Sequence, residues 1–167
     1  CEDIEWMSDK SPLKILTGDC LLDKTGQKFA VDTLKGKTIG LYVSAHWCPP
    51  CKTYTPALAA KYEEIKAKNS DFEIIFISCD SDEKEAAKYY DEMPWTMLTY
   101  SERDMQDKIT DELEVTGIPS LILLDPKDGS IMMANARNAI MEVPFEKLAD
   151  YEKEKRIKKL KKKRNLM

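Results

Sequence analysis

Cys48 and Cys51 stand three residues apart in the run Trp47-Cys48-Pro49-Pro50-Cys51, and two thiols at that spacing can serve structure alone or do one of two kinds of chemistry. They can exchange with disulfides: one thiolate attacks a sulfur of a substrate disulfide, and its neighbour then releases the mixed disulfide that forms. They can also hold a metal, but structural zinc takes four ligands, commonly two such cysteine pairs or one pair with two histidines. This chain has one pair and a single histidine, His46, too close in sequence to be the usual complement. A zinc site would have to draw on Cys48, Cys51, Cys79 and His46 together. Redox exchange is the simpler reading, and it calls for neither a metal nor an organic cofactor.

Exchange needs a thiolate, so the elements around the pair matter. Residues 38–45 (TIGLYVSA) form a continuous β-rich run, the pattern of a strand buried on both faces. Beyond the pair, Tyr54, Leu58, Ala59, Tyr62 and Ile65 recur at helical spacing. Cys48 is therefore expected at the start of a helix, where free backbone N–H groups and the positive end of the helix dipole favour thiolate over thiol. Cys51 falls about one turn further on, within reach of a disulfide made by Cys48. Pro49 and Pro50 suit a first helical turn, where a missing N–H costs least. A protonated His46 would favour the Cys48 thiolate further; alternatively it is a surface histidine without a task. Cys20 and Cys79 lie in apolar runs and read as buried bystanders. Cys79, near the end of its strand, is also placed to face the site.

The remaining elements alternate. Residues 13–16 and 20–22, separated by Thr17-Gly18-Asp19 and followed by Asp23-Lys24-Thr25-Gly26, read as strand or hairpin. Asn69-Ser70-Asp71 closes the first helix, residues 73–79 make a second apolar strand, and Ser81-Asp82-Glu83 opens a short helix through Tyr90 that Pro94 ends or interrupts. Residues 103–115 fit an amphipathic helix with Met105, Ile109, Leu113 and Val115 inward. A strand over Ser120 to Leu124 follows, then the turn from Asp125 to Gly129 and a returning antiparallel strand over 130–136. Pro144 starts a last helix, with Phe145 and Leu148 inward. Strands alternating with helices predict an α/β layered sheet, and the closing hairpin adds an antiparallel part.

The run Ser44-Ala45-His46-Trp47-Cys48-Pro49-Pro50-Cys51 resembles the active-site segment of the tryparedoxin and nucleoredoxin branch of the thioredoxin superfamily. Thr55-Pro56, Met93-Pro94-Trp95, Gly117-Ile118-Pro119 with Ser120-Leu121, and Asp125 with the turn to Gly129 match that branch in order and spacing. The likeness covers roughly residues 13–150. It implies a thioredoxin-like fold, a central mixed β-sheet flanked by helices with an N-terminal β-hairpin extension. It further implies that Cys48 is the nucleophile and Cys51 the resolving thiol. Trp47, Pro49 and Pro50 would flank the site, and Pro119 would be cis opposite the pair, with the backbone at Ile118 pairing to an extended substrate. Trp95 and Met93 would line the site by the same analogy, although core packing is an equal reading. Tyr42 stands six residues before Cys48, where thioredoxins carry a buried acid, which leaves the acceptor of the Cys51 proton open, a water or a Glu being candidates. Cys79 stands where tryparedoxins often have Trp, and the branch's Phe-Pro-Trp near the C-terminus is missing, which argues against trypanothione as the specific reductant.

With 167 residues the chain is expected to hold one domain over 13–151, preceded by an extension over 1–12 and followed by a basic helix or tail over 152–167. The net charge of −4 conceals an asymmetry: residues 152–167 carry nine Lys/Arg and two Glu, a net +7, and the rest carry 17 basic and 28 acidic residues, a net −11. Only Ile157 and Leu160 interrupt the charge from 152 to 164, so the tail reads either as a contact for an anionic partner or as a solvated extension. No stretch is apolar enough for a transmembrane segment. The start has no signal-peptide pattern and no initiator Met, which reads as a processed or partial chain. An odd number of cysteines is a poor disulfide framework, so the expected compartment is the cytoplasm, with the nucleus as the alternative. The function expected is that of a protein-disulfide reductase, acting as a monomer on disulfide-containing proteins with an external thiol reductant. A redox-sensitive protein-binding regulator with little turnover is the rival.

Overall fold

The computed structural model describes residues 6–69 and 71–166. Cys1, residues 1–5 of the expected N-terminal extension, Ser70 and Met167 lie outside the described residues. The strands are β1 (Leu21–Leu22), β2 (Lys28–Phe29), β3 (Thr38–Ser44), β4 (Phe72–Ser78), β5 (Thr96–Leu98), β6 (Ser120–Leu124) and β7 (Ile131–Met133). The helices are α1 (Pro49–Lys68), α2 (Glu83–Tyr90), α3 (Arg103–Glu112), α4 (Ala139–Glu142) and α5 (Leu148–Asn165). The strands form one mixed sheet in the order β2-β1-β5-β4-β3-β6-β7. β3, β4 and β5 run parallel, while β6 and β7 close one side and β1 and β2 the other in antiparallel pairing. The fold is thioredoxin-like.

β3 is buried along its whole length and β4 along nearly all of it. Their alternate residues sort onto the two faces. Tyr42, Ile74, Phe76, Leu121 and Leu123 pack on one face with Leu58, Tyr62 and Ile65 of α1 and Ala86, Tyr89 and Tyr90 of α2. Leu41, Val43, Ile75, Ile77, Ile122 and Leu124 pack on the other with Ile109 of α3 and the N-terminal segment. Both faces are covered, which is why these strands read as continuous apolar runs.

Three expectations need correction. Residues 13–16 are not a strand: Pro12–Ile15 form a turn of 3-10 helix capped by Ser11, whose hydroxyl accepts from Leu13 N–H. The N-terminal hairpin exists but pairs β1 with β2 around the Asp23 turn, where the Asp23 carboxylate takes the backbone N–H groups of Thr25 and Gln27. Finally, Pro144 caps a 3-10 turn, Phe145–Lys147, and α5 begins only at Leu148.

Candidate active site

β3 ends at Ser44, between β4 and β6, and Ala45, His46 and Trp47 cross from there to α1. Cys48 is the N-cap of α1 in an extended conformation (φ −93°, ψ 112°), and Pro49 and Pro50 are the first two helical residues. Proline at these positions gives up no helical hydrogen bond. The loop is tied to the end of β4 by three contacts. Cys79 N–H donates to Ser44 O (2.9 Å), His46 N–H donates to Asp80 Oδ1 (2.7 Å), and the Trp47 indole N–H donates to Cys79 O (3.2 Å). Asp80 is itself buried and held by Ser78 Oγ–H (2.8 Å), while its carbonyl accepts from Tyr100 OH (3.0 Å). His46 Nδ1 pairs with Glu85 Oε2 at 2.7 Å, and its ring stacks on Tyr89 with centroids 5.4 Å apart.

Both cysteines of the pair are free thiols. Cys48 is 4% exposed, and its Sγ donates to Ile118 O at 3.8 Å, across from the cis Ile118–Pro119 peptide. Cys51 is fully buried. Burial, reinforced by its hydrogen bond with Cys48, pushes its thiol up to about 11. Cys51 is thus a protonated thiol at neutral pH. Trp47, 62% exposed, stands beside the pair with its ring in solvent, and Pro49 and Pro50 are exposed at its rim.

Trp95 does not join this group. It is 1% exposed, set edge-on against Tyr42 (5.8 Å) and Tyr62 (5.6 Å) in the core, and Met93 is buried in the same cluster. Aromatic pairs of that geometry contribute about 0.5–1.5 kcal/mol beyond area burial, so its task is packing. Cys79 is half-buried against Cys48 and Cys51, takes a hydrogen bond from Gln106 Nε2 (3.6 Å), and is pushed up by burial. Cys20 is buried away from the pair.

Beneath the pair lies a buried hydroxyl cluster. Tyr42 OH and Thr55 Oγ1 are 2.6 Å apart, Ser44 Oγ and Tyr89 OH are 2.7 Å apart, and Thr55 Oγ1 also bonds Tyr89 OH. Thr55 Oγ1 (2.8 Å) and Tyr89 OH (3.3 Å) both lie within hydrogen-bond reach of Cys51 O, so the single protons of these hydroxyls are shared among the contacts of the cluster. Asp80, Glu85 and Tyr89 carry little mark in the sequence, and Ser44 and Thr55 are marked only by the resemblance of the segments that hold them. The usable signals were a serine ending a fully apolar strand and an aspartate just past the next one. No three His, Cys, Asp or Glu side chains gather as metal ligands would among the described residues.

A family model described as thioredoxin-like matches residues 36–131. Nucleoredoxin from Mus musculus is 34% identical over 140 residues, covering 84% of this chain and 32% of that protein. The chain spans about a third of the length of such curated relatives. Tryparedoxin from Trypanosoma brucei superposes with a TM-score of 0.71 at 36% identity, over 80% of this chain and 93% of that one. Tryparedoxin II complexed with glutathionylspermidine gives 0.73 at 32%, over 80% and 94%.

Proposed function

Because this chain belongs to the thioredoxin-like family of thiol–disulfide oxidoreductases, in its tryparedoxin and nucleoredoxin branch, we propose that it reduces protein disulfides by two-step exchange through Cys48 and Cys51. The observation that carries the assignment is the unequal placement of the two thiols. Cys48 caps α1 at the rim beside exposed Trp47, and Cys51 sits fully buried one turn in. A helix N-terminus stabilises an anionic sulfur, whereas the burial of Cys51 keeps its proton.

In the first step the Cys48 thiolate attacks one sulfur of the substrate disulfide, and the other sulfur leaves as thiolate. In the second, Cys51 attacks Cys48 Sγ, the Cys48–Cys51 bond forms, and the substrate's second thiolate departs. Two electrons pass from the dithiol to the substrate, and an external thiol returns them. The solved neighbour with glutathionylspermidine suggests a low-molecular-weight thiol as that reductant class. Trp47, Pro49, Pro50, Ile118 and Pro119 would shape the substrate surface, with the backbone at Ile118 pairing to an extended segment.

We assign residues 13–151 as the exchange unit, acting as a monomer in the cytoplasm or nucleus. Residues 152–167 would be a basic arm for an anionic partner. No helix among the described residues is long and apolar enough to cross a membrane.

The test is reduction of insulin by the dithiol form. Cys48→Ser is expected to abolish turnover, and Cys51→Ser to accumulate a mixed disulfide at Cys48. A folded wild-type protein with an intact dithiol and no turnover would overturn the reductase assignment and leave the pair as a redox-gated contact for a partner protein.

A further inference from the structure

The resolving step leaves a proton to be placed. Cys51 must lose its S–H proton as it attacks Cys48 Sγ, yet it is fully buried and its thiol is raised to about 11. The position in β3 that could supply a carboxylate holds Tyr42, whose hydroxyl is neutral and pushed further up by burial.

We propose that Ser44 and Tyr89 are positioning residues for resolution, their hydroxyls carrying the Cys51 proton from the buried side of the dithiol to the cavity beside His46; this rests on the exchange reading above. The cluster that holds Ser44 is seated on Cys51, with Thr55 Oγ1 2.8 Å and Tyr89 OH 3.3 Å from its carbonyl oxygen, and the Ser44 hydroxyl favours loss of the Cys51 proton. Its Oγ lies 2.7 Å from Tyr89 OH, and in that contact either oxygen can be the donor. A hydroxyl that accepts a proton on one side and donates one on the other returns to its starting state, so the chain is consumed by nothing. Thr55 holds the geometry: it bonds Tyr89 OH and Tyr42 OH and anchors on Cys51 O.

The outlet is a cavity of about 480 Å³ lined by His46, Lys52, Thr55, Pro56, Tyr89 and Glu92. The relay residues Tyr89 and Thr55 therefore form part of its wall. The charged or titratable groups around the path are His46 in the β3–α1 loop, Lys52 on α1, Glu85 on α2 and Glu92 after it, with Cys48 and Tyr42 on the buried side. Glu85 fixes His46 Nδ1, leaving Nε2 as the imidazole's other nitrogen, and the stacked His46 ring holds the Tyr89 ring in place. The step balances. The Cys51–Cys48 bond forms, the bond from Cys48 to the substrate sulfur breaks, and that sulfur leaves with the electron pair. The Cys51 proton passes through Ser44 and Tyr89 to solvent in the cavity, and the substrate thiolate takes a proton from solvent.

The experiment follows release of thionitrobenzoate when the dithiol protein is mixed with Ellman's reagent. The first release reports attack by Cys48 and the second reports resolution by Cys51. In Tyr89→Phe the second release is expected to slow by about tenfold or more near pH 7, with the gap to wild type closing as pH rises and hydroxide removes the proton directly. Ser44→Ala leaves the His46–Tyr89 stack in place and gives the same reading if Tyr89→Phe does not fold. A second release slowed by the same factor at every pH, a first release slowed equally, or no change at all would overturn the relay. Absence of either release from folded wild-type protein would instead overturn the exchange reading, and the relay with it.

Discussion

Burial raises Cys20, Cys51 and Cys79, most strongly the first two, and that has a consequence for stability. Cys20 is pushed up to about 11 by desolvation, and Cys51 to about 11 by desolvation and its bond with Cys48, against an ordinary value of 9.0. Between about pH 9 and about pH 11 the unfolded chain has released protons that the native chain still binds. Fewer protons on the unfolded state means that stability falls as pH rises through that window, and that these groups contribute their full share below it. Tyr42, Tyr54, Tyr62 and Tyr90, raised by burial, act in the same direction at higher pH. Urea midpoints measured under reducing conditions should drop across that window, and Cys20→Ala should make the drop shallower. A midpoint that stays flat to about pH 11 would contradict the native-state burial of these thiols. Legibility at this scale followed locality. The pair was readable because its residues are adjacent in sequence, as was the tie between Cys48 and a helix start. Trp95 was not, because its partners Tyr42 and Tyr62 come from distant elements and only the folded core decides between site and packing.

At the level of elements, periodicity and caps carried the prediction well where a segment was long or had a clear stop signal. β3, β4, α2 and the β6–β7 turn appear where the continuous apolar runs, Ser81-Asp82-Glu83 and the turn to Gly129 place them. Short segments failed: LKIL has strand composition, but Pro12 and the Ser11 cap turn it into 3-10 helix, and β5 is three residues that follow Pro94 and have no pattern of their own. The α2 cap matters for the site, since α2 carries both Glu85 and Tyr89. The Asp82 side chain accepts from Glu85 N–H at 2.8 Å, filling one of the free donors of the first turn. Asp82→Ala should therefore cost about 1 kcal/mol of stability. For a chain of this size that is a drop of roughly 2–4 °C in Tm. A calorimetric scan showing no loss would mean that the cap is replaced by solvent at no cost.

The whole molecule divides by charge as the sequence divides, and the structure gives that division a shape. Leu148 anchors the first turn of α5 in the core, and Arg156 still reaches back, pairing with Glu152 (3.4 Å) and donating to Met132 O (3.2 Å). From Lys153 to Leu166 every residue is exposed, Ile157 and Leu160 included. Burial therefore does not hold this helix, and its cations are dispersed around it rather than on one side of an apolar stripe. The last turn, with Lys162, Lys163 and Arg164, suits the negative end of the helix dipole, so the charge supports the helix as well as any partner. An acidic body with such an arm should be retained on a polyanion such as heparin through the arm alone. Retention should weaken steeply with salt, because each neutralised anionic group releases counterions. Removing residues 158–167 takes away six Lys/Arg and moves the net charge from −4 to −10, while leaving Arg156 and its contact with Met132 in place. That truncated chain should elute near the void with its exchange chemistry intact, since none of the site's contacts reach α5. Equal retention of both chains would mean that the arm's cations are spent on the acidic body rather than offered to an anionic partner.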